Sequence, residues 1–416
     1  MAQPAAPPAP PAPPPEGSDP SRYGWFLTGI GSWFGALGMQ QVLMSWLVVG
    51  ALRESPEWVG VAQMSTMLAS ILLLPLGGAF GDRLDARRLL IFLHLIAAVP
   101  ILVLAATLSL GLLNLPILIG CGLAMGASNA FSNPARDSLL SRVAGSDLMR
   151  TVTGATIAQF GSQGVGMWIA GTARYIGGPL ALFIQAVTIS LGSLVSRRLP
   201  GRPRRPEGMP PPAAPARPGL AEVLAGLRFV LATQLRLVFL LVFAVGLFFG
   251  GSYNVVLPLA VRDVYAGGVQ EISWLMMMFP AGTILGSLVI LKRGGILRKG
   301  RALALALGAG GAALIVGGQG LPFPGIVAAI FAWGLAGSVF MNVSRTLFQE
   351  RAPEAERARV LAVNQLGFMA AGPLGSLLAG FLCGALGPMA TLVTLGTAML
   401  VLVGVFWAFT GVRHMR

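Results

Sequence analysis

The chain has 416 residues, 55% of them hydrophobic and 11% charged, with 56 glycines and a net charge of +14. A soluble domain carries about 25% charge, so this composition excludes a water-soluble enzyme with a membrane tail. The positive charge sits between long apolar runs, where it reports membrane orientation rather than nucleic acid binding, and the unbroken runs argue against the alternating strands of a β-barrel.

Residues 1–22 open the chain with alternating Pro and Ala from Pro4 to Pro15 and no apolar core of a cleavable signal peptide. This tail is expected to be disordered, PPII-like and cytoplasmic. Six apolar runs follow, at about 25–49, 59–80, 89–110, 115–135, 152–173 and 179–195. Each can cross about 30 Å of hydrocarbon at about 1.5 Å per residue. After an Arg- and Pro-rich stretch come six more, at about 237–261, 272–291, 302–318, 324–348, 360–383 and 389–409. The chain reads as an all-α membrane protein with 12 transmembrane helices. One six-helix half covers 23–196, a basic Pro-rich cytoplasmic linker 197–235, a second six-helix half 236–410 and a cytoplasmic tail 411–416.

Basic loops stay on the cytoplasmic side. Of the 29 Lys and Arg residues, 26 fall on the side of the linker and both termini; only Arg53, Arg174 and Arg262 fall opposite. The expected location is the cell (inner) membrane, multi-pass, with both termini inside.

A shift of 209 residues lays the fourth to sixth runs on the tenth to twelfth. Phe131, Asn133, Arg136, Arg142 and Arg150 meet Phe340, Asn342, Arg345, Arg351 and Arg359, and Asp147 meets Glu356. Further on, Gly166, Ala170, Gly171, Gly178 and Pro179 meet Gly375, Ala379, Gly380, Gly387 and Pro388. Apolar helices match one another by composition alone, but rare Asn, Arg and Pro in one ungapped register mark a parallel repeat.

Parallel six-helix halves around a cytoplasmic linker are the plan of major facilitator transporters, which bind substrate near the midplane between the halves. Gly78, Asp82, Arg83, Arg87 and Arg88 are similar to that superfamily's signature loop after the second helix. The run Gly81-Asp82-Arg83-Leu84-Asp85-Ala86-Arg87-Arg88, the pair Gln40-Gln41 before Trp46, and the segments Asn133-Pro134-Ala135-Arg136 and Arg357-Ala358-Arg359-Val360 resemble the enterobactin exporter-like branch, the transmembrane secretion effectors. The resemblance runs from about residue 23 to 410. It departs at Asp85, where the general signature has Gly, and at Met167, where the antiporter motif has Pro. No Arg interrupts the fourth run early, and Gly372-Pro373-Leu374-Gly375 is closer to that motif.

The resemblance implies a cytoplasmic latch in which Asp82 faces the start of the eleventh helix around Val360, with Arg136, Arg345 and Arg359 on the same side. A carboxylate at a helix N-terminus is favoured by about 0.3 to 1 kcal/mol. The alternative is a solvated, positive-inside loop. No Asp, Glu, Lys or Arg falls mid-run, which argues against a strongly charged cargo and against a central proton carrier. His94 is the titratable candidate inside the first half.

Uncharged polar residues at helical spacing are candidates for a substrate cavity: Gln41 with Ser45, Asn129 with Asn133, and Gln159 with Gln163. Tyr253, Asn254, Trp274, Asn342 and Gln365 join them, with Trp168, Phe279, Phe368 and Met276-Met277-Met278 as aromatic and adaptable surface. The competing role for such residues is polar contact between helices.

Cys121 and Cys383 lie apart in apolar runs, and no Gly-Lys phosphate loop, His-rich cluster or intramembrane acid pair is present. No cofactor, metal or enzymatic activity is expected. The expected function is a secondary active transporter, exporting an amphipathic small molecule of siderophore-like or drug-like character by alternating access. Protons are the candidate coupling ion, the bilayer and the small-molecule substrate are the partners, no nucleic acid is bound, and the chain is expected to act as a monomer. Import of a small organic solute, or a non-transporting receptor or scaffold using the Pro-rich tail, are the alternatives.

Overall fold

In hydrocarbon every backbone N–H and C=O must find its partner within the protein, so long apolar runs fold as helices. The computed structural model describes residues 20–143, 148–199, 201, 220–292, 298–352 and 357–409. Among them are 15 α-helices and two π-helical segments, with no strand.

The first half holds α1 (Pro20–Trp46), continued by a π-helical turn (Leu47–Ala51), then α2 (Pro56–Arg83), α3 (Ala86–Ser109), α4 (Leu115–Val143), α5 (Leu148–Gly171), the short α6 (Ala173–Ile176) and α7 (Gly178–Ser196). The second half is reached through α8 (Leu220–Ala232). It holds α9 (Leu235–Gly251), a π-helical turn (Ser252–Val256), α10 (Leu257–Asp263), α11 (Val269–Lys292), α12 (Lys299–Gly317), α13 (Phe323–Arg351), α14 (Arg357–Leu386) and α15 (Pro388–Phe409). The start of α3 is set by Asp85, whose side chain accepts from Arg87 N at 2.9 Å as an N-cap. Before α15, Gly387 turns at φ 80° into Pro388, the pairing of a left-handed glycine with a proline already shaped for the next helix.

Among the described residues, eleven segments are long and apolar enough to cross a membrane. The helix α5 has the length as well but carries Gln159, Ser162 and Gln163, which lower its hydropathy. Exposed Leu72, Phe92, Val99, Leu305 and Phe381 give the bundle an apolar exterior.

The packing repeats with the sequence. In the first half α1 lies on α5, α2 and α3 on α4, and α3 on α7; in the second α9 lies on α14, α11 and α12 on α13, and α12 on α15. The halves meet along two equivalent seams, α2 with α14 and α5 with α11. Glycines make these approaches possible. A Cβ on Gly166 would collide with the carbonyl oxygen of Gly35, and one on its repeat mate Gly375 with that of Leu247. Gly38 against Gln163 O and Gly250 against Gly372 O form a second matched pair. These pairs place α1 on α9 with a shift of 212, three residues longer than the shift relating α5 to α14.

One expectation is refined. The stretch taken as linker, 197–235, contains α8, because Leu227 and buried Val230 fall on one helical face and pack toward α14; Arg228 and Arg236 interrupt the apolar run on either side. The tail at 1–22, except residues 20–22, the linker at 202–219 and the C-terminal tail lie outside the described residues.

Candidate functional site

The polar face of α5 meets α1 at the centre of the bundle. Gln163 Nε2 donates to Gln41 Oε1 at 3.0 Å. Gln41 is held in turn by its own helix: Ser45 Oγ donates to Gln41 O at 2.9 Å and accepts from Gln63 Nε2 of α2 at 3.0 Å. Two glutamines that would be costly alone in hydrocarbon are thus paired across helices.

This pair forms one wall of a cavity of about 160 Å³ whose other walls come almost entirely from the second half. The π-helical turn after α9 carries Tyr253 into the cavity wall. Phe249, one turn earlier, stacks on it with ring centroids 4.8 Å apart and planes 14° apart. Phe279 of α11 and Trp333 of α13 lie 4.8 Å from each other at 64°, Phe279 lies 4.9 Å from Phe249, and Phe368 of α14 lies 5.8 Å from Phe249. Such offset and edge-on arrangements are the favoured ones for aromatic quadrupoles. Two polar groups in the box are already committed: Tyr253 Oη donates to Met276 O at 2.8 Å and Thr283 Oγ1 to Phe279 O at 2.9 Å. Among the described residues, no charged side chain lines the cavity.

At one end of the seams the halves are bonded together. Arg174 Nη1 reaches Glu271 Oε1 at 3.0 Å and Gln270 Oε1 at 3.2 Å, Arg262 Nη1 donates to Glu54 O at 2.7 Å, and Ser273 Oγ donates to Met167 O at 2.7 Å. Gly171 packs against Ser273 and its repeat mate Gly380 against Gly60, so the two seams close with equivalent glycines. This end bears the three basic residues that the charge count sets apart, Arg53, Arg174 and Arg262.

Of the residues singled out by spacing, Gln41, Gln163 and Tyr253 line the cavity, as do Phe279 and Phe368. Asn129 Nδ2 instead contacts Ser70 Oγ at 3.4 Å, and Asn342 Nδ2 donates to Ser287 Oγ at 3.1 Å and Ser338 O at 2.8 Å. Both tie neighbouring helices together. Asn133 Oδ1 accepts from Arg136 Nη2. Gln159 and Asn254 are half-buried away from the lining, and Gln365 and Trp274 are exposed. Phe249, Trp333, Thr283 and Phe160 were not singled out; the Phe249–Tyr253 spacing of four was the available signal.

Arg136 sits seven residues before the end of α4 at Val143 and is buried rather than solvated. It is 7% exposed, with its guanidinium 4.7 Å from the ring centres of both Trp33 and Phe34 of α1. His94 completes this cluster, its Nδ1–H donating to Leu90 O at 2.7 Å and its ring edge-on to Trp33 at 5.1 Å. The described partners of Arg136 all belong to the first half. Arg345, its repeat mate, is exposed, as is Arg88, and Arg87 is half-buried. The side chains of Asp82, Arg83 and Arg359, and the surroundings of Gly78, lie outside the described residues.

The sequence profile of a family described as transmembrane secretion effector matches residues 20–415. The chain belongs to this family of major facilitator transporters. Among solved structures, the transporter is similar in fold to the nucleoside transporter NupG, with 18% identity, TM-score 0.73, and coverage of 93% of this chain and 98% of the other. It is also similar to a bacterial homologue of the human lysosomal transporter Spinster, with 13% identity, TM-score 0.67 and coverage of 95% and 97%. A POT family transporter in complex with 5-aminolevulinic acid gives 15% identity, TM-score 0.70 and coverage of 97% and 99%. No curated protein matches the transporter's sequence.

Proposed function

We propose that the protein is a secondary active exporter of an amphipathic, uncharged or weakly charged small molecule, working by rocking its two halves about the central cavity. The observation that carries this reading is the cavity itself: an aromatic enclosure, free of charge among its described lining residues, at the seam of two repeat-related halves that are bridged by polar contacts at the end bearing Arg174 and Arg262. Family membership supports secretion as the direction. The loop charges support an orientation in which the bonded end is extracytoplasmic. Asp82 and its basic neighbours then form the opposing, cytoplasmic latch of the cycle. With no carboxylate in the cavity wall, proton coupling runs through a group outside it or through the cargo.

The test is retention of the neutral amphipathic dye Nile red in cells with and without the gene, before and after an uncoupler. Higher retention in the knockout, with the difference abolished by the uncoupler, supports coupled export. Lower uptake in the knockout overturns export in favour of import, and equal retention of this and other amphipathic dyes overturns the amphipathic cargo.

A further inference from the structure

The division of labour in the cavity points to a ligand class. The second half supplies faces and edges of aromatic rings set at 14° to 64° to one another, a shape that receives a flat ring by offset stacking on one wall and edge contact on another. The first half supplies the Gln41–Gln163 pair. A closed amide pair makes two reciprocal bonds, but here only Gln163 Nε2 to Gln41 Oε1 is made. The Gln41 amide N–H groups and the Gln163 carbonyl oxygen carry no bond among the described residues, and both residues are half-buried at the cavity wall. A donor and an acceptor are therefore left on two residues that share the cavity wall, in a box where Tyr253 Oη and Thr283 Oγ1 already donate to backbone carbonyls and the Trp333 indole N–H is a further donor.

Charge is the second constraint. An ion in this enclosure would have no counter-charge in the wall, and an unpaired charge in an apolar surrounding is strongly disfavoured. The rings offer a cation their faces, but no carboxylate among the described lining residues balances its charge.

We infer that the cavity takes a neutral, flat aromatic or heteroaromatic compound with a hydrogen-bond acceptor and donor adjacent on one edge, as in a lactam, with the ring in the box of the second half and the edge read by Gln41 and Gln163 of the first. This rests on the transport reading above and adds the substrate class. It also gives the cargo a mechanical role: by touching both halves at once it favours their closure over it, which is the differential contact that a conformational shift requires.

Four probes test it on the purified full-length protein in nanodiscs by equilibrium binding: carbostyril, a flat neutral lactam; N-methylcarbostyril, which lacks the donor; N-methylquinolinium, a cation; and naphthoate, an anion. Carbostyril is expected to bind tightest, with N-methylcarbostyril about tenfold weaker, the ratio that one hydrogen bond to a partly buried partner supplies. In Gln41→Leu and Gln163→Leu that gap should close to within about twofold, while Phe279→Ala weakens both neutral probes together. Thermal melting of each variant separates misfolding from lost recognition, and Gln163→Asn serves as a milder variant should Gln163→Leu not fold. Equal affinity for the two neutral probes, tighter binding of either ion, or no binding by well-folded protein overturns the inference. Gene-dependent, uncoupler-sensitive Nile red efflux alongside any of these results would leave the export reading standing and remove only the ligand class. Carbostyril bound as expected with no efflux would do the reverse.

Discussion

The two halves are built on one backbone plan and filled with different chemistry. Gly166 and Gly375 make the same helix approach, α5 to α1 and α14 to α9, and Gly171 and Gly380 occupy equivalent places on the two seams. At the inner positions the halves part. The first half buries Arg136 between Trp33, Phe34 and Asn133 with His94 nearby, whereas Arg345 at the matching position is exposed. The second half spends its interior on the aromatic box, and at the place that matches Tyr253 the first half presents Gln41. Helix spacing tolerates little change, because a single Cβ collides with a backbone that cannot move aside. Side chains lining a cavity are free of that restraint, so the repeat keeps its glycines and diverges in its rings and amides.

The largest effect should come from breaking what the halves share. Gly166→Val and Gly375→Val are expected to cost at least about 3 kcal/mol each and to abolish accumulation in the membrane alike. Quantified membrane abundance decides this; a well-folded variant at either site would show that the approach is not tight. Next comes what they do not share. Arg136→Ala should destabilise by about 2 to 4 kcal/mol, through a cavity and an orphaned Asn133, while Arg345→Ala stays within about 0.5 kcal/mol. Thermal melting of the two purified variants gives the contrast, and equal shifts would erase it.

The seam between the halves is expected to respond less. In a Cys121→Ala, Cys383→Ala background, a reporter at Val269→Cys should label about two- to fivefold faster with an impermeant maleimide once Glu271→Gln is added. The Arg174–Glu271 pair is partly exposed, at 57% and 21%, and such pairs contribute about 1 kcal/mol or less. Unchanged labelling would remove the pair from the closure. The smallest change is Tyr253→Phe, which deletes the bond to Met276 O but keeps the stacked ring. It should cost about 1 kcal/mol and leave carbostyril affinity nearly intact; a large loss of affinity would mean that the hydroxyl turns toward the cargo.

Much was readable along the chain because hydrocarbon imposes simple rules. Each helix must be long and apolar, basic residues gather at one side, and glycines recur where helices touch, so the spans and the register of 209 follow from residue order alone. Even Gln41 and Gln163 stood out, since an amide amid apolar neighbours is rare enough to notice. The cavity's rings were less legible. Phe249 and Trp333 face the cavity while exposed Phe92 and Phe381 face outward, and all four sit in similarly apolar surroundings in the sequence. Asn129 and Asn342, chosen on the same grounds as Gln41, turned out to brace neighbouring helices.

What the sequence by itself determined is therefore the long apolar helices, their repeat and the family's transport fold, because length, hydropathy and glycine spacing act locally and through the backbone. Which faces turn inward was decided only by the tertiary structure. A membrane helix is apolar all round, and with lipid as hydrophobic as the core, no periodicity distinguishes the side that packs from the side that faces lipid. The burial of Arg136 shows the same limit from the other direction. Its place near the end of a run reads as a member of a cytoplasmic latch or as a solvated loop charge, and only the packing of α1 against α4 sets it over two aromatic rings inside the bundle.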